Sequence, residues 1–156
     1  MRLLLAGIIA FGIAPSAGAG EGAPRFEDYA VRETYSGPTH APVLATKDAR
    51  EFRTRLREAA EGKADFAGHY VVTLWGCGTG CVMGGIIDAK TGHVTMLPFT
   101  LCCWPVEVPD DFEPVVYRLD SSLIVFDGAR NENESDVGKH YYTFVNGRLK
   151  ELKSVK

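Results

Sequence analysis

Chemistry in this chain would start from its four cysteines, which come as two close pairs. Cys77 and Cys81 lie in "LWGCGTGCVMGG", and Cys102 and Cys103 follow as neighbours. Thiols can serve disulfide exchange, metal ligation or structural cross-linking. An exchange motif of the usual kind has two residues between its cysteines and sits at a helix N-terminus that lowers the thiol pKa. Here the intervening residues are Gly78, Thr79 and Gly80, and the following "VMGGIID" is strand-like. Four thiolates suit tetrahedral zinc, but adjacent Cys102 and Cys103 are badly disposed to point at one ion. The expectation is therefore structural disulfides, no free thiol, no metal and no cofactor. The small ring that joins neighbouring cysteines is rare, so the expected bridges cross between the pairs. Either Cys77–Cys102 occurs with Cys81–Cys103, or the reverse pairing does.

Two tryptophans, Trp75 and Trp104, flank these cysteines, and a long polar stretch, "GARNENESDVGK" (128–139), carries Arg130, Glu132, Glu134 and Asp136. Long loops in small domains are functional or mobile. Trp75, Trp104, Arg130, Glu132, Glu134 and Asp136 are accordingly the candidate partner-binding residues, with the tryptophans as aromatic anchors. His69, His93 and His140 fall at expected strand starts and His40 in coil. Their spacing matches no ligand or triad motif, and no nucleophile elbow or phosphate-cradling loop is present. No catalytic residue is assigned. The carboxylates of "PDDFEP" (109–114) read as a solvated, proline-bounded turn.

The elements that must position these residues change character along the chain. Residues 20–45 are rich in breakers and read as an extended N-terminal arm, with Phe26, Tyr29 and Val31 available to cover a core. A helix is expected next. Thr46 is its N-cap, Asp48 sits in the first turn, where the dipole favours negative charge, Ala49, Phe52, Leu56 and Ala59 share a face, and Gly62 stops it. The arginines on its other faces alternate with Glu51, Glu58 and Glu61, which makes a solvated surface. After Asp65 the pattern is that of strands: 69–76, 84–89, 93–98, 115–119, 123–127, 140–145 and 148–152. "DAKTG" (88–92) is turn chemistry, and Asn146-Gly147 is a strong hairpin signal. The fold class is α+β: an antiparallel meander sheet of about seven strands, a curled sheet or open barrel, with one N-terminal helix and disulfide staples. Residues 46–156 would form one domain.

The first 19 residues read as an export signal: Arg2, an apolar core from Leu3 to Ala14, Pro15, and a small-x-small site at 17–19. The core is short for a membrane span, and no later run is long and apolar enough. Export implies an oxidising compartment, periplasmic or extracellular, which suits the disulfides. Cleavage would leave a domain slightly more acidic than the whole chain's net charge of −3. That balance speaks against a nucleic-acid binder.

"DFAGHYVVTLWGCGTGC" (65–81) followed by "IIDAKTGHVTMLPF" (86–99) resembles a family of exported bacterial proteins. Its signature is a Phe-Ala-Gly-His-Tyr entry, a Trp-Gly-Cys-Gly turn and an Asp-x-x-Thr-Gly hairpin. The resemblance implies export and this fold, and no activity. From the residues, the expected function is a non-enzymatic periplasmic binding domain. Its partner would be another cell-envelope protein, as for an inhibitor or immunity-type protein against a cell-wall-active enzyme. The alternative is a small envelope enzyme with a His/carboxylate site at strand ends.

Overall fold

Alternation in the strand segments decides which faces meet, and the structure follows it. In the computed structural model, residues 22–104, 108–109 and 111–156 are described; the expected signal segment lies outside them. Strands β1 (Tyr70–Gly78) and β2 (Cys81–Asp88) form a hairpin, and β3 (Val94–Met96) and β4 (Leu101–Cys102) follow. Strands β5 (Val115–Arg118), β6 (Ser121–Arg130), β7 (Gly138–Val145) and β8 (Arg148–Val155) make the second half. Among the described residues there are thus eight strands, one more than the sequence suggests, and they pair antiparallel. The addition is β4, too short to show any alternation.

The turns form for the local reasons expected of them. Asp88 Oδ1 accepts a hydrogen bond from the Lys90 amide at 2.8 Å, and Gly92 takes φ +74°. Asn146 and Gly147 have φ of 51° and 73°, the doubly positive pair that a tight two-residue hairpin needs.

Sheet order is β1-β2-β4-β6-β7-β8, with β3 beside β2 and β5 beside β6. The two halves are joined through β4. It pairs with β2 as Cys81↔Cys102 and Val82↔Leu101, and with β6 as Leu101↔Arg130 and Cys102↔Ala129. The sheet then folds over on itself. Tyr70, Val72 and Ile86 from the first half share one core with Ile124, Phe126, Tyr142 and Phe144 from the second. Phe66 and Phe126 are fully buried at its centre, and burial on that scale stabilises by about 2 kcal/mol per side chain. The sheet remains open, because β1 and β8 have one neighbour each. At the free edge of β1, Asp65 Oδ1 accepts from the Val72 amide at 2.9 Å, while Oδ2 receives the Tyr117 hydroxyl at 3.4 Å. Burial, reinforced by this carboxylate, pushes the Tyr117 phenol up to about 12.

Opposite faces are covered from outside. Val71, Ile87, Ala89 and Val94 pack with Ala49 and Leu56 of the helical segment. Thr46 caps it, its side chain accepting from the Ala49 amide at 3.1 Å. The single expected helix is corrected to two short ones, α1 (Lys47–Glu51) and α2 (Arg53–Ala59). The backbone leaves helical angles at Phe52 (φ −94°, ψ 21°), whose ring lies on Trp75 with centroids 5.0 Å apart. Nor is this segment the first helical element: a 3-10 turn at Phe26–Tyr29 precedes it. Phe26 and Tyr29 pack on Leu123, Val125 and Tyr141, the outer face of the second half.

Candidate functional site

The β1–β2 turn, β4 and the start of the β6–β7 loop meet at one rim because β4 is hydrogen-bonded to both β2 and β6. A cleft of about 530 Å³ opens there, lined by Thr79, Gly80, Cys81, Cys102, Cys103, Trp104, Glu132 and Glu134. The cysteines gather at this rim, and none of them is free. Their pairing differs from expectation. The bridges are Cys77–Cys81 and Cys102–Cys103, not crossed links between the two pairs. Two local features explain the difference. The β1–β2 ladder runs through to Gly78↔Cys81, so Cys77 and Cys81 stand across the hairpin with Cα atoms 5.2 Å apart. At the end of β4, Cys103 adopts a positive φ of 62°, which turns the chain sharply beside Cys102.

The candidate contact residues divide between this cleft and the fold itself. Trp75 is only 8% exposed and belongs to the packing between sheet and helices; its indole N–H has no hydrogen-bond partner among the described residues. Trp104 is half-buried in the cleft wall, its ring 6.1 Å from Phe112. Arg130 and Asp136 are joined to each other, with Arg130 Nε 2.7 Å from Asp136 Oδ2, and Arg130 also meets Glu151 at 2.9 Å and the Tyr142 hydroxyl. These contacts, the Asp136 hydrogen bond first, raise the Arg130 pKa. The same hydrogen bond lowers the Asp136 carboxyl below its ordinary range, and Glu151 is lowered by the Ser154 hydroxyl and then Arg130. The pair therefore ties the loop down. Glu132 and Glu134 are exposed, and their carboxylates pair with no cation among the described residues.

His140 is fully buried in the same substructure. Its Nε2–H points at the carbonyls of Gly128 (3.0 Å) and Asp136 (2.9 Å), which can only accept, and its Nδ1 meets Ser154 Oγ at 2.8 Å. That is a structural post for the loop. A second cleft, about 290 Å³, is lined by Tyr70, Asp88, His93, Thr95 and the β7–β8 turn. Beside it His69 Nε2 lies 3.9 Å from Asp88, beyond hydrogen-bond length, and partial burial lowers the His69 pKa against the attraction of that carboxylate. Asp88 Oδ1 is already engaged by the Lys90 amide. His40 is exposed and apart from both clefts. Among the described residues no group of three or more His, Cys, Asp or Glu is placed to hold a metal ion.

Sequence reasoning missed Thr79, Gly80 and the Phe112 support of Trp104. Turn apices carry no periodicity, and the approach of residue 112 to residue 104 is set by an irregular loop. Compared with protein-family models, curated proteins and solved structures, the chain matches none.

Proposed function

We propose that this chain is a non-enzymatic binding domain of the cell envelope, exported by residues 1–19. Its partner is a cationic protein, most concretely a cell-wall-active enzyme held as by an inhibitor or immunity-type protein. One observation supports this above others. Glu132 and Glu134 are two carboxylates, unpaired among the described residues, on the same cleft as a half-buried tryptophan, on a rim stiffened by two disulfides. A fixed aromatic supplies apolar contact at little entropic cost, and uncompensated acids steer a basic partner toward it. The other loop charges serve the fold, which narrows the electrostatic contribution to these two residues.

The test uses the mature protein and cationic peptidoglycan hydrolases purified from the same periplasm. The wild type should slow peptidoglycan hydrolysis. The E132K/E134K variant should lose about ten-fold in association rate at low salt, and W104A should dissociate faster. Unchanged association for the charge-reversed protein would sink the reading. The competing reading, a small envelope enzyme, draws on the approach of His69 to Asp88. Its mark would be turnover by the domain alone, lost in H69A and indifferent to Glu132 and Glu134.

A further inference from the structure

The β2–β4 register sets Cys81 directly opposite Cys102. Opposed residues of an antiparallel pair project to the same face of the sheet with Cα atoms about 4.5–5.5 Å apart. A disulfide spans Cα separations of about 4.4–6.8 Å. The two bridges at the rim thus place their inner cysteines opposite one another on one face of the sheet, while the outer cysteines, Cys77 and Cys103, are solvent-exposed. Cys102 is 4% exposed and Cys81 half-buried, so a bond between them would be the sheltered one.

We propose that the rim is a thiol–disulfide exchange site that takes a dithiol as its reducing partner and rearranges to a cross-strand Cys81–Cys102 bridge. A thiolate of the dithiol attacks the exposed Cys103 sulfur, forming a mixed disulfide and breaking the Cys102–Cys103 bond. The Cys102 thiolate then attacks Cys81 across the ladder, forming Cys81–Cys102 and expelling Cys77. The second thiol of the reductant resolves the mixed disulfide and releases Cys103. The dithiol loses two electrons and two protons and leaves as a disulfide. The protein gains them as thiols on Cys77 and Cys103. Two bridges and one dithiol become one bridge, two thiols and one external disulfide, so the exchange balances.

Position in the folded ladder favours the new bridge, because Cys81 and Cys102 already stand opposite each other. Cys77–Cys81 closes a five-residue turn and Cys102–Cys103 closes no loop beyond its own ring, whereas Cys81–Cys102 ties two strands far apart in the chain. That link restricts the unfolded chain more than either local bridge does. Position gives the exchange a readout in the fold, because Cys102 pairs with Ala129 of β6 as well as with Cys81. Opening the vicinal ring frees Cys103, the residue that leads into Trp104, at the wall of the cleft. The inference rests on the register and not on the binding role proposed above.

The experiment treats the native mature protein with one equivalent of dithiothreitol, quenches with acid, blocks thiols with N-ethylmaleimide and digests with trypsin. Cys77 and Cys81 share the tryptic peptide 64–90, and Cys102 and Cys103 share 91–118. Untreated protein should yield these two peptides separately. Treated protein should yield them cross-linked through Cys81 and Cys102, with label on Cys77 and Cys103. Label on Cys102 and Cys103 with the peptides still separate would overturn the proposal, as would label on Cys77 and Cys81, or no label on native protein. The C77S/C103S variant gives a second reading: air oxidation should close Cys81–Cys102 with the wild-type circular dichroism retained. Two persistent free thiols in that folded variant would also defeat it.

Discussion

Single side chains at the rim carry charge for two different purposes, and Arg130 separates them. Its side chain is 19% exposed and meets Asp136, Glu151 and Tyr142 together. R130M would leave Asp136, itself 18% exposed, partly desolvated without its cation, and we expect a loss of about 2 kcal/mol in urea unfolding. The carboxyls of Asp136 and Glu151 are held below their unfolded values. Their stabilisation is complete above the unfolded carboxylate range and disappears as pH falls below about 4 toward the folded values. R130M should accordingly flatten the acid limb of the stability curve; an unchanged limb would show that the pair is not coupled to folding. E132K/E134K should stay within about 0.5 kcal/mol of wild type, since it disturbs only exposed residues. The four charges of 130–136 look alike in the sequence. Only the fold, by returning Glu151 and Tyr142 beside Arg130, sorts the anchoring residues from the unpaired ones.

Among the elements, the hairpins were legible because their turns declare themselves locally. Asp88, Gly92 and Asn146-Gly147 carry backbone preferences that need no distant partner. Cysteine pairing was not legible, because it depends on how far the β1–β2 ladder continues and on the turn at Cys103. The two-residue β4 was likewise hidden: its existence rests on neighbours at 81–82 and 129–130. The helix break at Phe52 answers to Trp75, distant in sequence. Two turn glycines make the contrast measurable. Gly147 has a positive φ, but an added methyl would meet nothing closer than 3.8 Å, so G147A should cost only the backbone penalty, about 1–2 kcal/mol. At Gly92 the same methyl would stand 2.1 Å from the Ala41 carbonyl oxygen, against a segment bonded to it through Val43 N–H. G92A should therefore be clearly the more destabilising of the two in thermal melts. Equal losses would mean that the 41–43 segment yields freely.

For the whole molecule, the export reading yields a chemical prediction: protein recovered from the periplasm should begin at Gly20, because Ala17 and Ala19 supply small residues at both recognition positions. An intact Met1 found by N-terminal sequencing would remove export from the proposal. The open form of the sheet bears on conduct at high concentration. A bare strand margin is a template on which a second chain can add, the first step of fibre growth. At the two ends of the strand order, β1 and β8, something stands in the way. Asp65 occupies the Val72 amide on one side, and on the other β8 alternates Arg148, Lys150, Glu151 and Lys153 with its few apolar residues. A carboxylate seated on one ladder amide and a row of ionic side chains give β1 and β8 part of the protection that closure gives a barrel: an incoming strand meets an occupied hydrogen bond on one side and charge on the other.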